Sequence, residues 1–139
     1  MTRKDLEIRT NYVSLNTLLS REKLVFETET VLSVAAASRL IESILIDIPI
    51  GPIWIDRTGD QAIVIDGARR LRILTSFLND EFALSGLECL TSCAGRKKSL
   101  LDPHFLRKLE ELEVLVHSIE KGTSTEAKEL IVKRIKGDL

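Results

Sequence analysis

The sequence predicts an α+β fold, in which short strands and helices are mixed along one chain. Strand-type and helix-type apolar patterns both occur, they do not alternate as regular β–α–β units, and two strand patterns flank a turn as in a hairpin. The chain has 139 residues, of which 44% are apolar and 29% are charged. This size and composition predict one globular domain, residues 1–139, with its own hydrophobic core.

The N-terminal part predicts a short helix near residues 15–19, a short strand at 24–26 and then one strong helix. Ser33 stands where an N-cap is expected. Pro49 and Pro52 cannot continue a helix, so the helix should end by about residue 48. Its apolar stripe at helical spacing predicts these core positions: Val34, Ala37, Leu40, Ile41, Ile44, Leu45 and Ile48.

The central part predicts a hairpin, with strands at 53–55 and 62–65 around the turn signal of residues 57–60. A helix follows Gly67 and should end at Asn79 and Asp80, and a short strand is expected at 82–84. The apolar face of this helix consists of Leu71, Leu74, Phe77 and Leu78.

The C-terminal part begins with a polar, basic stretch at 90–101, which predicts a mobile surface loop. Asp102 and Pro103 indicate a helix start, and residues 113–119 indicate a strand. Residues 123–126 have the pattern of a capping box before a last helix. That helix runs almost to the last residue, so we expect the chain to be the N-terminal part of a longer protein. Its inward positions should be Ala127, Leu130, Ile131 and Ile135.

Charge and cysteine content limit the function classes. The net charge is −1, so a polyanion would have to bind a local basic patch, of which residues 69–72, 96–98 and 133–136 are candidates. No secretion signal and no membrane-length apolar run occur, which predicts a cytoplasmic protein without a membrane partner. Cys89, Cys93 and His104 are too few for a zinc site, so we expect ordinary thiols and no metal ligands. His117 and Trp54 are expected to be packed residues.

The most informative stretch is Asp66-Gly67 followed by Arg69, Arg70 and Arg72. Cations at a helix start are unfavourable, because the free N–H groups there already carry partial positive charge. An anion between the arginines and these N–H groups would reverse that effect, and the planar arginine fork suits phosphate. Alternatively, Asp66 caps the helix, Gly67 makes the turn, and the arginines are simply solvated.

Two blocks of sequence resemble a known family: residues 37–55, ASRLIESILIDIPIGPIWI, and residues 64–71, VIDGARRL. They are similar to the N-terminal domain of GmrSD-type modification-dependent restriction proteins, a branch of the ParB/sulfiredoxin-like superfamily. Residues 116–123 and 131–137 resemble the tail of that domain, and the similarity extends from about residue 24 to the end. The resemblance implies a ParB/sulfiredoxin-like fold, with a small mixed sheet, a β-hairpin and several packed helices, and a role in DNA defence.

The family motif D-G-Q-Q-R is implicated in binding and hydrolysing nucleoside triphosphate. Carried over, the resemblance implies NTP with Mg²⁺ as cofactor and Asp66 as the catalytic position, partnering a metal or a hydroxyl. Gly67 would allow close backbone approach, and Arg70, with Arg69 beside it, would bind phosphate. Arg70 shares a helix face with Leu74 and Phe77, which predicts that it points inward.

The chain departs from the family in several places. The motif glutamines are Ala68 and Arg69, a usual Gln–Arg pair is Glu27 and Thr28, and a usual Trp is Leu32. The His-Asn-His nuclease module found downstream in such proteins is absent from this sequence. We therefore expect nucleotide binding with weak or absent hydrolysis, and whether the chain is an enzyme stays open. The alternatives are a non-catalytic interaction module that kept the fold, or a ParB-like DNA-binding protein using residues 96–98 or a downstream region.

Overall fold

The computed structural model describes residues 5–21, 23–26 and 32–137. The chain divides into two compact units that are interleaved in sequence. The sheet unit takes its described residues from 1–28, 51–68 and 113–139, and the helical unit takes them from 29–50 and 69–112. The strands are β1 (Ile8–Ser14), β2 (Leu24–Phe26), β3 (Ile53–Asp56), β4 (Ala62–Asp66) and β5 (Glu113–Ile119). The α-helices of the described residues are α1 (Leu15–Arg21), α2 (Val34–Leu45), α3 (Ala68–Leu78), α4 (Pro103–Glu110) and α5 (Thr125–Ile135).

The five strands of the sheet unit form one mixed sheet in the order β1-β5-β3-β4-β2. β1 pairs antiparallel with β5, which pairs parallel with β3. β3 and β4 form the antiparallel hairpin that the sequence predicted, and β2 is parallel to β4. The predicted α+β class with a small mixed sheet is therefore confirmed.

Strand β1 is the element that the sequence patterns missed. It occupies the edge of the sheet, and most of its side chains are exposed, including Ile8 and Tyr12. Both of its faces therefore carry polar residues, so the apolar–polar alternation of a half-buried strand is weak. β1 pairs with β5 in a register that runs from Ile8 opposite Ile119 to Ser14 opposite Glu113. β5 begins 105 residues after the start of β1, so the two strands are far apart in sequence. The available signal was its content of β-branched and aromatic residues.

The core of the sheet unit follows the alternation of β5. Val114, Val116 and Ser118 are buried on one face of this strand, and Ile119 is buried at its end. Because side chains alternate between faces, the apolar residues at alternate positions of β5 can pack together with their neighbours on β3. The other buried side chains of this unit include Leu15, Leu18, Ile53, Ile55, Val64, Ala127 and Ile131.

Helix α5 begins one residue later than the capping-box pattern placed it. Ser124 is the N-cap and accepts a hydrogen bond from the Ala127 N–H at 3.1 Å. Thr123 instead bonds the main chain of Glu7, accepting from its N–H and donating to its carbonyl. Ala127 and Ile131 are buried as predicted, but Leu130 is exposed, so its predicted inward position was wrong.

In the helical unit, α2 has the predicted N-cap, since Ser33 Oγ accepts from the Ala36 N–H at 3.1 Å. The helix ends at Leu45 and not near residue 48. Asp47 adopts a left-handed conformation with φ of 66°, and the Ile48 N–H bonds the Ser43 carbonyl at 2.8 Å. Such a left-handed closure satisfies the terminal carbonyls before any proline is reached. As a result Ile48 is half exposed and lies outside the core.

The expected strand at 82–84 is also wrong. Leu84 makes two backbone hydrogen bonds, to Arg96 and from Gly95, but no strand forms among the described residues there. Residues 90–101 form two short 3₁₀ turns, 91–93 and 98–100, and bury Cys93 and Leu101. Most of this segment is on the surface, as predicted, and its mobility stays a prediction. Asp102 and Pro103 do begin α4.

Glu42 on α2 is a buried carboxylate that organises the segment before these turns. Its two carboxylate oxygens accept three backbone N–H bonds, from Glu88 at 3.1 Å, Cys89 at 2.8 Å and Leu90 at 2.7 Å. Desolvation by burial acts to raise the pKa of Glu42, but the N–H donors of Leu90, Cys89 and Glu88 lower it, and the net pKa lies below its usual value. Glu42 therefore joins helix α2 to a loop that has no regular structure of its own.

Two neighbouring positions of α2 test how the helix is packed. Ile41 is 0% exposed, whereas Leu40 is only half-buried despite its place in the predicted stripe. We expect Ile41→Ala to lower the free energy of unfolding by about 2–5 kcal/mol, as for buried aliphatic side chains. Leu40→Ala, the matched control, should cost less than half of that in urea denaturation. Equal costs for the two substitutions would contradict the burial pattern.

The Glu42 interaction predicts a specific pH dependence of stability. Because the folded pKa is lowered, this stabilisation is present above about pH 4.3, the ordinary glutamate value, and is lost as the pH falls through the folded pKa. Glu42→Gln should lower stability at pH 7 by about 1–3 kcal/mol, since backbone donors lose a charged acceptor. The same substitution should also reduce the loss of folding stability that the parent shows as the pH falls below about 4.3.

Urea unfolding between pH 7 and pH 3 measures both effects. Glu110→Gln, which changes an exposed glutamate of α4, is the control and should behave as the parent. An unchanged pH profile in Glu42→Gln would show that the carboxylate contributes nothing as a charged acceptor.

Candidate functional site

The junction after β4 has the backbone that the sequence motif anticipated. Asp66 is the last residue of β4, is half-buried and lies opposite Trp54 in the hairpin. Gly67 follows with φ of 97°, a left-handed conformation that residues with a Cβ rarely adopt. The glycine is therefore required by the turn itself, which accounts for this motif position without any ligand.

The three arginines of α3 differ in their surroundings. Arg69 is exposed, whereas Arg70 and Arg72 are half-buried. Arg70 Nη1 donates a hydrogen bond to the carbonyl of Ile50, in the segment that follows α2. Its inward direction is thus as predicted, and part of its donor capacity holds the main chain.

A cavity of about 170 Å³ opens within the helical unit beside α3. Its polar lining comes from Arg69, Arg72 and Ser76, which follow one another at helical spacing, and the Nε atom of Arg72 is buried. Apolar side chains, among them Ile73 and Phe82, form the rest of the wall. We call this recess the α3 cavity. The sequence had favoured Arg70 as the anion ligand, but Arg69 and Arg72 are the arginines that line this cavity.

A larger recess, the basic groove, lies within the sheet unit. Two adjoining cavities of about 330 and 460 Å³ share Arg9, Arg57 and Glu120 in their lining. The first also contacts α1, through Thr17 and Arg21. The sequence patterns gave no indication of this groove, because its basic residues are dispersed between positions 9 and 121. The one signal in the sequence was the presence of arginines next to strand ends, such as Arg57 after β3.

An ion pair between the buried Asp56 and the half-exposed Lys128 lies at the end of β3. The carboxylate of Asp56 is 2.8 Å from Lys128 Nζ and also accepts from the N–H and hydroxyl of Thr58, at 2.9 and 2.6 Å. Desolvation opposes ionisation, but the bonds from Lys128 and Thr58 prevail and hold the pKa of Asp56 below its usual range. Both of these partners of Asp56, Lys128 and Thr58, are residues of this chain. The cluster therefore joins the β3–β4 turn to α5 and has the features of a structural contact.

The remaining candidates are structural as well. His117 is half-buried, with Nδ1 2.8 Å from Thr10 Oγ1 and its ring centroid 4.6 Å from that of Trp54. The prediction that both rings are packed residues agrees with these contacts. Cys93 is buried and Cys89 is exposed, and both are free thiols. Within the described residues no group of three or more His, Cys, Asp and Glu side chains could hold a metal ion.

The basic loop of residues 96–98 presents less free charge than its sequence suggested. Arg96 Nη1 donates to the carbonyl of Leu100 at 3.1 Å and lies 3.3 Å from the Asp102 carboxylate. Lys98 is half-buried, and Lys97 is exposed. Glu27 and Thr28, at the positions of the family's Gln–Arg pair, lie outside the described residues.

No helix in the described part of the chain is long and apolar enough to cross a membrane. No protein-family model, curated protein or solved structure matches this chain.

Proposed function

We propose that this chain is a nucleotide-binding domain of ParB/sulfiredoxin-like type that works in DNA defence and hydrolyses nucleoside triphosphate weakly or not at all. The observation that carries the proposal is the α3 cavity, which is lined by two arginines of α3, Arg69 and Arg72. The resemblance supplies the ligand class, since Asp66, Gly67 and Arg70 match the family's triphosphate motif. The mixed sheet with its hairpin is the architecture that this resemblance implies.

The charge of the α3 cavity supports an anionic ligand. Arg69 and Arg72 are its charged lining residues, and no carboxylate lines it among the described residues. The two guanidinium groups give this recess a local positive potential, although the whole chain has a net charge of −1. The Ser76 hydroxyl adds a neutral donor. Planar arginine forks can bind phosphate with two parallel hydrogen bonds, so a phosphate group suits this lining.

The size of the cavity determines which part of a nucleotide it could hold. About 170 Å³ is below the roughly 300–1,000 Å³ that is usual for sites enclosing a whole small molecule. The cavity therefore fits one phosphoryl group, and the remainder of a nucleotide would lie outside it. In this proposal Arg69 and Arg72 bind phosphate directly.

Arg70 has a second role in this proposal. Its bond to the Ile50 carbonyl fixes the segment that follows α2. Arg69 is the preceding residue of the same helix, α3. Arg70 thus positions the main chain at Ile50, and the family motif makes it a further proposed phosphate ligand. Asp66 is the proposed metal or hydroxyl partner, on the basis of the motif alone.

We expect the chain to bind at least one magnesium nucleoside triphosphate in calorimetry. Arg69→Ala should weaken that binding by about 10- to 100-fold, because a hydrogen bond to a charged group contributes about 1.5–3 kcal/mol. Arg69 is exposed, so its loss should leave folding unchanged. Arg107→Ala, which removes an exposed arginine of α4, is the control and should bind as the parent. Failure of the parent to bind any triphosphate, or equal binding by Arg69→Ala, would refute the proposal.

We expect phosphate release from triphosphates to stay at the background rate. The motif glutamines that could place a water are Ala68 and Arg69 here, and turnover needs groups that stabilise charge in the transition state. The assay uses each nucleoside triphosphate with magnesium. A robust release that is lost in Asp66→Ala but kept in Asp60→Ala, an exposed aspartate of the hairpin turn, would instead identify an active enzyme.

A further inference from the structure

The basic groove of the sheet unit is built by strand pairing. Arg9 on β1 lies opposite Ser118 on β5, and Asn11 lies opposite Val116. Directly paired residues of an antiparallel ladder project on the same face of the sheet, so these side chains share one surface. Val116 and Leu18 line the groove between the polar groups, and Thr17 and Arg21 of α1 complete the first cavity.

The groove has an excess of positive charge. Four basic side chains line its two cavities, namely Arg9, Arg21, Arg57 and Lys121, against the two acidic side chains Glu7 and Glu120. The excess of two positive charges contrasts with the net charge of −1 for the whole chain. Low-dielectric walls around such a recess strengthen its potential, which favours anions over neutral ligands.

Arg57 is the fixed cation of the groove. Its Nη1 donates to Ser118 Oγ at 2.6 Å, and its backbone N–H bonds the Ile119 carbonyl at 2.9 Å. A side chain that is already held loses less conformational entropy when it binds a ligand. The shared lining residues Arg57, Arg9 and Glu120 connect the two cavities, so a ligand can extend from one cavity into the other.

Arg9 and Glu120 form a weak pair that a ligand can rearrange. Arg9 Nε lies 3.7 Å from Glu120 Oε1, and the Arg9 side chain is 72% exposed. An exposed pair at this distance contributes little to stability, so an incoming anion can take the guanidinium. The Glu120 carboxylate then remains as an acceptor for a ligand hydroxyl.

We propose that this groove binds a small sugar phosphate, with its phosphate on Arg57, Arg9 and Arg21 and a hydroxyl on Glu120. The cavity volumes of about 330 and 460 Å³ are those of small-molecule sites. No aromatic side chain lines either cavity within the described residues, so the groove lacks the stacking platform of single-stranded nucleic-acid sites. The groove belongs to the sheet unit and shares no lining residue with the α3 cavity proposed for triphosphate.

Calorimetry with ribose 5-phosphate tests this site, with ribose and inorganic phosphate as comparison ligands. The parent should bind ribose 5-phosphate more tightly than inorganic phosphate and should not bind ribose. The double substitution Arg9→Gln and Arg21→Gln should weaken binding at least tenfold, since both exposed side chains line the groove and supply positive charge. Lys133→Gln with Arg134→Gln removes two exposed charges of α5 and should leave binding unchanged.

A second variant tests the role of Glu120. Glu120→Gln should bind inorganic phosphate at least as tightly as the parent, because a negative charge is removed from the groove. It should lose the preference for ribose 5-phosphate over inorganic phosphate, because the charged acceptor for a hydroxyl is gone. Circular dichroism verifies that each variant is folded.

Three outcomes would overturn the proposal. They are no binding of ribose 5-phosphate by the parent, equal binding by the Arg9 and Arg21 double variant, or tighter binding of single-stranded DNA through the same two arginines. Arg69→Ala should leave ribose 5-phosphate binding intact, so failure at this groove and failure at the α3 cavity give different results.

Discussion

The pairing of strand β5 with β1 on one side and β3 on the other is the constraint on which the sheet unit depends. It joins the C-terminal strand, Glu113–Ile119, to a strand near the N-terminus and to the first strand of the hairpin. Strand side chains alternate between faces, so a shift of one residue would move every β5 side chain to the other face. Val116 would leave the core, and Ser118 would leave Arg57. The same register therefore determines both the core and the basic groove.

In the helical unit the comparable constraint is polar. Glu42 is buried, and a buried carboxylate is costly unless its oxygens are hydrogen-bonded. Three consecutive N–H groups of residues 88–90 supply those bonds. Ser38, one turn earlier on α2, accepts the Ser85 N–H in the same manner. The side chains of one regular helix thus hold a segment that forms neither helix nor strand.

Local signals in the sequence predicted most of the fold. Ser33 capped α2, the turn after residue 56 produced the hairpin, and Asp102 with Pro103 began α4, because each of these features depends on a few adjacent residues. Strand β1 was missed because it is an edge strand with mostly exposed side chains, so its apolar–polar alternation is weak. The segment at 82–84 was wrongly expected to be a strand, since its residue types suit a strand but it pairs only with a loop.

The candidate sites also differ in whether their residues are adjacent in sequence. Arg69, Arg70 and Arg72 are adjacent in sequence, so their cluster was visible, but which of them line a cavity depends on how the helix is turned. The sheet register brings together Arg9, Arg21 and Arg57, and no spacing pattern in the sequence predicts that they share a site. Glu42 was equally hidden, because a glutamate in an apolar stripe is normally solvated at the stripe's edge.

Amide chemical shifts of ¹⁵N-labelled protein, titrated with a magnesium nucleoside triphosphate, test nucleotide binding most directly. If the start of α3 and its cavity hold the phosphates, the largest shift changes should fall on the amides of residues 67–72 and Ser76, and they should saturate. Absence of changes at any triphosphate concentration, or changes confined to the basic groove around Arg9 and Arg57, would contradict the assignment of triphosphate binding to this helix.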